Sequence, residues 1–96
     1  MQYSFDWDPK KASLNHNKHG ISFEEAVSVF KDPRAISIFD KDHNDKEDRW
    51  VTLGLSFSGR LLTVVHTFKN ENASEKIIRI ISCRKATKKE IKTYTE

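Results

Sequence analysis

The chain has 96 residues, of which 36% are hydrophobic and 32% charged, and this size favours a single domain spanning residues 1–96 with a thin core. One cysteine excludes an internal disulfide, and no apolar run is long enough to cross a membrane. The net charge of +3 divides into −2 over residues 1–59 and +5 over residues 60–96, which indicates either a polyanionic partner or a lysine-rich solvated surface.

The first twenty residues predict a strand followed by a helix. Apolar and polar residues alternate over Tyr3–Trp7, which is typical of a short strand. Asp8 as N-cap and Pro9 at the first helical position predict a helix start. This helix is expected to run to His19, because Gly20 suits the left-handed conformation of a C-terminal cap.

A second helix follows at once. Ser22 and Glu25 have the spacing of a capping box, in which Ser22 accepts from the Glu25 N–H and the Glu25 carboxylate reaches back. The helix has one apolar stripe, formed by Phe23, Ala26, Val27 and Phe30. Asp32-Pro33 is expected to stop it.

The rest of the chain predicts four strands and a short basic helix. The strands are expected over Ala35–Phe39, Trp50–Leu55, Leu61–Phe68 and Lys76–Cys83. A hairpin turn is predicted at Phe57-Ser58-Gly59, and Asp40–Asp48 reads as a charged loop. Thr87 and Glu90 form a second capping box. The order β-α-α-β-β-β-β-α predicts an α+β domain with an antiparallel sheet, two N-terminal helices and one short C-terminal helix.

Several segments together resemble the BrnT toxins, in the expected order and over nearly the whole chain. The matching segments are Phe5-x-Trp7-Asp8-Pro9-x-Lys11, Asn15-x-x-Lys18-His19-Gly20-Ile21-x-Phe23, Phe30-x-Asp32-Pro33, Glu47-x-Arg49, and Ile80-Ile81-Ser82-x-Arg84-Lys85-Ala86-Thr87 with Glu90 and Tyr94. The resemblance implies a RelE-like fold and an endoribonuclease that inhibits translation. It also implies neutralisation by a BrnA-like ribbon-helix-helix antitoxin, through which alone operator DNA would be contacted.

Cleavage of RNA needs no metal, because the 2′-OH is an internal nucleophile. The protein must supply a base, an acid and cations for the developing phosphorane charge. We therefore expect no metal and no cofactor, since His16 with His19, and the Asp42–Asp45 segment, lack a complete ligand set. The lone cysteine and the absence of a signal-peptide pattern predict a cytoplasmic protein without a membrane contact.

Four residues are candidates for the catalytic site. Arg79 and Arg84, in and at the end of the last strand, could bind phosphate; Arg79 could instead form an ion pair with Asp6 or Glu47. His66 could serve as base or acid, or could be a packed strand histidine. Arg49 could place a third cation over the substrate or pair with Glu47. No single motif decides among these alternatives.

Five further residues are candidates for RNA binding. Lys18 and His19 could contact RNA or the antitoxin, or could simply complement the C-terminus of the first helix. Lys85 and Lys88, with Lys89 and Lys92, form a basic face that could guide RNA or remain solvated. Tyr94 could stack on a base or pack the last helix. The alternative to an enzyme is a nonenzymatic RNA- or DNA-binding module, or a catalytically degenerate scaffold for the antitoxin.

Overall fold

A computed structural model describes residues 2–41, 48–70 and 75–96. The elements are β1 (Gln2–Trp7), α1 (Pro9–His19), α2 (Phe23–Val29), β2 (Ile36–Phe39), β3 (Arg49–Leu55), β4 (Leu61–Asn70), β5 (Glu75–Lys85) and α3 (Lys88–Thr95). The predicted α+β order is confirmed, and the last two strands are longer at their ends than predicted. Most of the predicted charged loop, including Glu47, lies outside the described residues. No helix in the described ranges is long and apolar enough to cross a membrane.

The five strands form one mixed sheet in the order β1-β5-β4-β3-β2. Strands β2 to β5 pair antiparallel, as predicted, but β1 pairs parallel to β5. The expectation of a wholly antiparallel sheet was therefore wrong for this one pair. Alternating apolar residues define the strand and its two faces, but they carry no information on the direction of its partner.

The two faces of the sheet differ in their cover. The helix face packs against α1 and α2 and holds the core, made of Ile21, Phe23, Ala26, Val29, Leu62, Val64, Ile78, Ile80 and Cys83. The opposite face carries α3 at one end only, where the Thr63 hydroxyl donates to Glu90 of α3 at 3.0 Å. We call the remainder of this second face the open face; it includes Asp6, Arg49, Thr67, Lys69 and Arg79.

Asn15 joins α1 to the part of the β5 edge that has no neighbouring strand. The partner strand β1 ends at Trp7 opposite Ile80, so the continuation of β5 has no strand on that side. The Asn15 side chain takes its place: it donates to the Cys83 carbonyl at 2.9 Å and accepts from the Cys83 N–H at 3.0 Å. A second donation, to the Ile21 carbonyl, fixes the segment after the Gly20 cap. The buried backbone groups are thereby satisfied.

The helix caps follow the sequence with one exception. Asp8, Gly20 and Thr87 cap their helices as predicted. Ser22 accepts from the Glu25 N–H, but the Glu25 carboxylate does not reach back to complete the box. It is buried against the β3–β4 turn instead.

The Glu25 carboxylate organises that turn through charged and neutral hydrogen bonds. It accepts from the hydroxyls of Ser56 and Ser58, each at 2.6 Å, and from the Arg60 guanidinium, which also forms an ion pair with it. The Arg60 hydrogen bond is the main reason that the pKa of Glu25 falls from 4.5 to about 2, against the opposing effect of burial. The turn is thus attached to α2 by an ionised carboxylate.

Replacing Glu25 with Gln should make the free energy of unfolding depend less on pH under acidic conditions. Because the pKa of Glu25 is lowered in the folded state, its contribution is present above pH 4.5 and is lost as the pH falls towards about 2. The difference amounts to at most about 3 kcal/mol. Urea unfolding at a series of acidic pH values would measure it, with Glu24→Gln, an exposed neighbour, as the control. A Glu25→Gln variant that loses stability with acid as steeply as the wild type would contradict this role.

Candidate active site

Four polar residues form a row across the open face. Arg49 of β3 is opposite Thr67 of β4, Thr67 is opposite Arg79 of β5, and Arg79 is opposite Asp6 of β1. Residues opposite each other in neighbouring strands share a face, and strands lie about 4.8 Å apart. The α-carbons of Arg49 and Arg79 are therefore about 10 Å apart, with Thr67 between them.

Arg79 pairs with Asp6 at the end of this row. Its Nη1 donates to Asp6 Oδ2 at 2.8 Å, so the ion pair expected with Asp6 is present, while the alternative partner Glu47 lies outside the described residues. The side chains remain 45% and 51% exposed. Pairs this exposed contribute only about 0–1 kcal/mol to stability. The fold therefore does not require Arg79.

A cavity of about 390 Å³ opens beside this ion pair. It is lined by Asp6, Thr67, Phe68, Lys69, Ile77 and Arg79. Two cations, a hydroxyl and one carboxylate thus surround a space in which an anionic group can be held. Arg49 adds a positive charge on the far side of Thr67.

His66 lies on the other side of the sheet. It is completely buried, its Nε2 is 2.6 Å from the Thr52 hydroxyl, and its ring packs edge-on against Phe30 and Phe68. Burial lowers the pKa of His66 from 6.5 to about 4, so the imidazole is neutral at physiological pH. The structure gives His66 no surface that a substrate could reach, and the packed-histidine alternative describes it.

Arg84 is separated from the row. It is opposite Thr63, four residues from Thr67 along β4, which corresponds to about 13 Å. Its guanidinium donates to both carboxylate oxygens of Glu90, at 2.8 and 3.1 Å. The hydrogen bond from Arg84 is the main cause that lowers the pKa of Glu90 to about 2. The guanidinium thus fastens α3 to the sheet.

Tyr94 packs the last helix. The residue is 8% exposed, its hydroxyl donates to Asp32, and the Arg34 guanidinium lies 5.7 Å from the centre of its ring. The hydrogen bond to Asp32 raises the pKa of Tyr94 above its ordinary value. The ring is therefore not presented for stacking on a base.

The remaining basic candidates lie on two other surfaces. Lys18 and His19 line a groove of about 240 Å³ between α1 and β5, together with Lys11, Leu14, Asn15, Ile81 and Ser82. Lys85 and Lys88 are exposed near the start of α3. Neither pair lies among the residues that line the cavity beside Arg79.

The described side chains give no support to a metal site or to a cysteine nucleophile. No group of three or more potential metal ligands occurs within residues 2–41, 48–70 and 75–96. Cys83 is buried, and burial raises the pKa of its thiol to about 12, so it is not a ready thiolate nucleophile.

The sequence did not indicate Thr67 or Lys69 as site residues. The signal for both residues is alternation along β4: Leu62 and Val64 face the helices, so Thr67 and Lys69, at odd-numbered positions of the same strand, face the other way. Asp6 was considered only as an ion-pair partner. Its place beside Arg79 depends on the parallel pairing of β1 with β5, which the pattern did not predict.

The fold and this cavity define a small basic α+β protein suited to bind an anionic ligand on an open sheet face. The family model described as "Ribonuclease toxin, BrnT, of type II toxin-antitoxin system" matches residues 7–90, and the chain belongs to this family. A search of curated proteins found no match.

A solved structure supports the fold. The chain resembles the crystal structure of the ribonuclease toxin BrnT from Brucella abortus with a TM-score of 0.62 and 22% sequence identity. The match covers 92% of this chain and 100% of the Brucella chain. At this identity the comparison supports only the arrangement of strands and helices. The assignment of the site residues depends on the geometry described above.

Arg79 and Arg84 should respond differently to replacement by Ala. Arg79→Ala should lower RNA cleavage by about 30- to 1000-fold, equivalent to 2–4 kcal/mol for a lost charged phosphate contact, and should leave the fold intact. Arg84→Ala should act mainly on stability, because Glu90 loses its charged partner; about 1 kcal/mol would lower Tm by about 4–8 °C. Cleavage rates and thermal unfolding of both variants would test this. A normal cleavage rate in Arg79→Ala would remove it from the site.

Proposed function

We propose that the chain is an endoribonuclease toxin that cleaves RNA without a metal on its open face. The observation that carries this proposal is the row Arg49–Thr67–Arg79 beside a cavity lined by Lys69. Cleavage at the 2′-OH builds up negative charge on the phosphorane, and preorganised cations stabilise that charge. Arg79 and Lys69 would contact the reacting phosphate, and Arg49 the neighbouring one.

The spacing of the two arginines suits two neighbouring phosphates of one RNA strand. Their α-carbons are about 10 Å apart, and long guanidinium side chains can close on phosphates that are nearer to each other. Neighbouring phosphates of an extended RNA strand fit such a span. The exposed Lys85 and Lys88, and the Lys18–His19 groove, would attract the rest of the strand electrostatically.

The physiological role that we propose follows from the family. RNA cleavage by a free toxin would inhibit translation in the cytoplasm, and a BrnA-like ribbon-helix-helix antitoxin would neutralise it. Operator DNA would be bound only through that antitoxin. The type II toxin–antitoxin family supports an antitoxin partner in general.

The contact with the antitoxin is proposed to include the basic face of α3. Lys85, Lys88, Lys89 and Lys92 are all exposed around the N-terminal end and body of this helix. Arg84 is held by Glu90, so these lysines carry the unpaired positive charge nearby among the described side chains. An acidic or amphipathic segment would complement this face.

Purified protein should cleave a defined single-stranded RNA in the presence of EDTA. The 2′-OH mechanism leaves a 2′,3′-cyclic phosphate and a 5′-hydroxyl, which mass spectrometry of the products would identify. An RNA of the same sequence with 2′-O-methyl groups should stay intact, because it lacks the nucleophile. Binding without cleavage would instead favour the nonenzymatic module, and cleavage only after addition of a divalent metal would overturn metal independence.

Changing Lys85, Lys88, Lys89 and Lys92 together to Gln should slow association with the antitoxin. Opposite charges speed the encounter of two proteins, and added salt screens the effect. Stopped-flow association rates at several salt concentrations should show a lower rate and a smaller salt dependence for the variant. Changing Lys10, Lys31, Lys41 and Lys76 to Gln removes the same charge elsewhere and is the control. Equal behaviour of wild type and the α3 variant would mean that the antitoxin binds another surface.

A further inference from the structure

We infer that Asp6 is the general base of RNA cleavage, taking the proton of the attacking 2′-OH. The inference rests on the proposed ribonuclease function and names the group that removes the proton. Among the described residues that line the cavity beside Arg79, Asp6 is the one carboxylate. The other polar lining groups are two cations and a hydroxyl, which bind anions or donate hydrogen bonds at neutral pH.

The other candidates for the base are placed elsewhere. His66 adjoins Thr67 in β4, but it is fully buried on the helix face and hydrogen-bonded to Thr52. Glu90 accepts hydrogen bonds from Nη1 and Nη2 of Arg84 and from the Thr63 hydroxyl, about 13 Å along the sheet. Glu25 is enclosed by the β3–β4 turn. Asp6 is 51% exposed and therefore accessible to a substrate.

The Asp6–Arg79 ion pair still allows Arg79 to bind a phosphate and Asp6 to accept a proton. Among the described residues, Arg79 makes its side-chain hydrogen bond through Nη1 to one oxygen, Asp6 Oδ2. The rest of the guanidinium can therefore bind a phosphate while the ion pair persists. A phosphate held there brings the adjoining 2′-oxygen close to the second carboxylate oxygen of Asp6. Hydrogen-bond reach to the proton is the first requirement for a general base.

The Asp6 carboxylate takes the 2′-OH proton while O2′ forms a bond to phosphorus, and Arg79 and Lys69 stabilise the negative phosphorane. The bond between phosphorus and the 5′-oxygen then breaks. The leaving 5′-oxygen takes a proton from water, and Asp6 later returns its proton to the solvent. The products are a 2′,3′-cyclic phosphate and a 5′-hydroxyl, with no oxidant or metal required.

A base and a simple counter-ion for Arg79 predict opposite results when Asp6 is replaced by Asn. Asn removes the charge that competes with phosphate for Arg79, so binding of the uncleavable 2′-O-methyl RNA should stay the same or become tighter. Single-turnover cleavage of the matching RNA should fall by about 100-fold or more, because Asn cannot accept the proton. Glu24→Gln, which removes one exposed carboxylate on α2, should leave both quantities unchanged.

The double variant Asp6→Asn/Arg79→Ala separates the base from a residue that acts only through Arg79. A base is still needed without Arg79, so the double variant should cleave more slowly than Arg79→Ala alone; equal rates would overturn the inference. Cleavage by Asp6→Asn at the wild-type rate, or faster in step with tighter binding, would also overturn it. So would a loss of cleavage that only follows weaker binding of the uncleavable RNA. If the wild type itself does not cleave, the proposed function fails and this inference with it. Circular dichroism of each variant confirms folding.

Discussion

The pairing of the first strand with the last is the constraint on which the rest of this structure depends. After β1 the chain covers one face with α1 and α2, reaches the far edge at β2, and steps back through β3 and β4 to β5. Strand β5 thereby becomes parallel to β1 and sets Asp6 beside Arg79. Residues 73 positions apart in sequence form the ion pair at the proposed site. Closing so long a loop costs conformational entropy, which the buried contacts of Ile78 and Ile80 offset.

The core and the proposed site lie on opposite faces of the sheet. On the helix face, apolar side chains and the neutral, buried His66 form the core, and Asn15 and Glu25 satisfy polar groups at its margins. On the opposite face, the Arg84–Glu90 ion pair fastens α3 at one end, and the open face around Arg79 stays accessible. A thin domain cannot cover both faces with its own chain. The proposed site lies in the uncovered area, outside the core.

Local chemistry made most of the fold predictable from the sequence. Residues within a few positions of each other set the caps at Asp8, Gly20 and Thr87 and the hairpin turn at Phe57-Ser58-Gly59. The structure has all of them. Contacts between residues far apart in the sequence were not predictable. The Glu25 carboxylate, for example, pairs with Arg60 and its neighbours rather than with the start of its own helix. The site was predictable only in part for the same reason. Arg79 and Arg49 share a row, whereas His66, Arg84 and Tyr94 have partners that short-range patterns do not reveal.

Strand β5 has one residue more than β4 along their paired stretch, and this β-bulge affects the alignment of the strand with related sequences. Val65 is opposite Ser82 and His66 is opposite Ile80, so Ile81 is an extra residue in the strand. Arg79 and Arg84 are five positions apart, an odd spacing that would place them on opposite faces of a regular strand. The extra residue restores them to the same face. In a relative that lacks one residue near Ile81, the arginines corresponding to Arg79 and Arg84 would lie on opposite faces of the sheet, even if all neighbouring residues were identical.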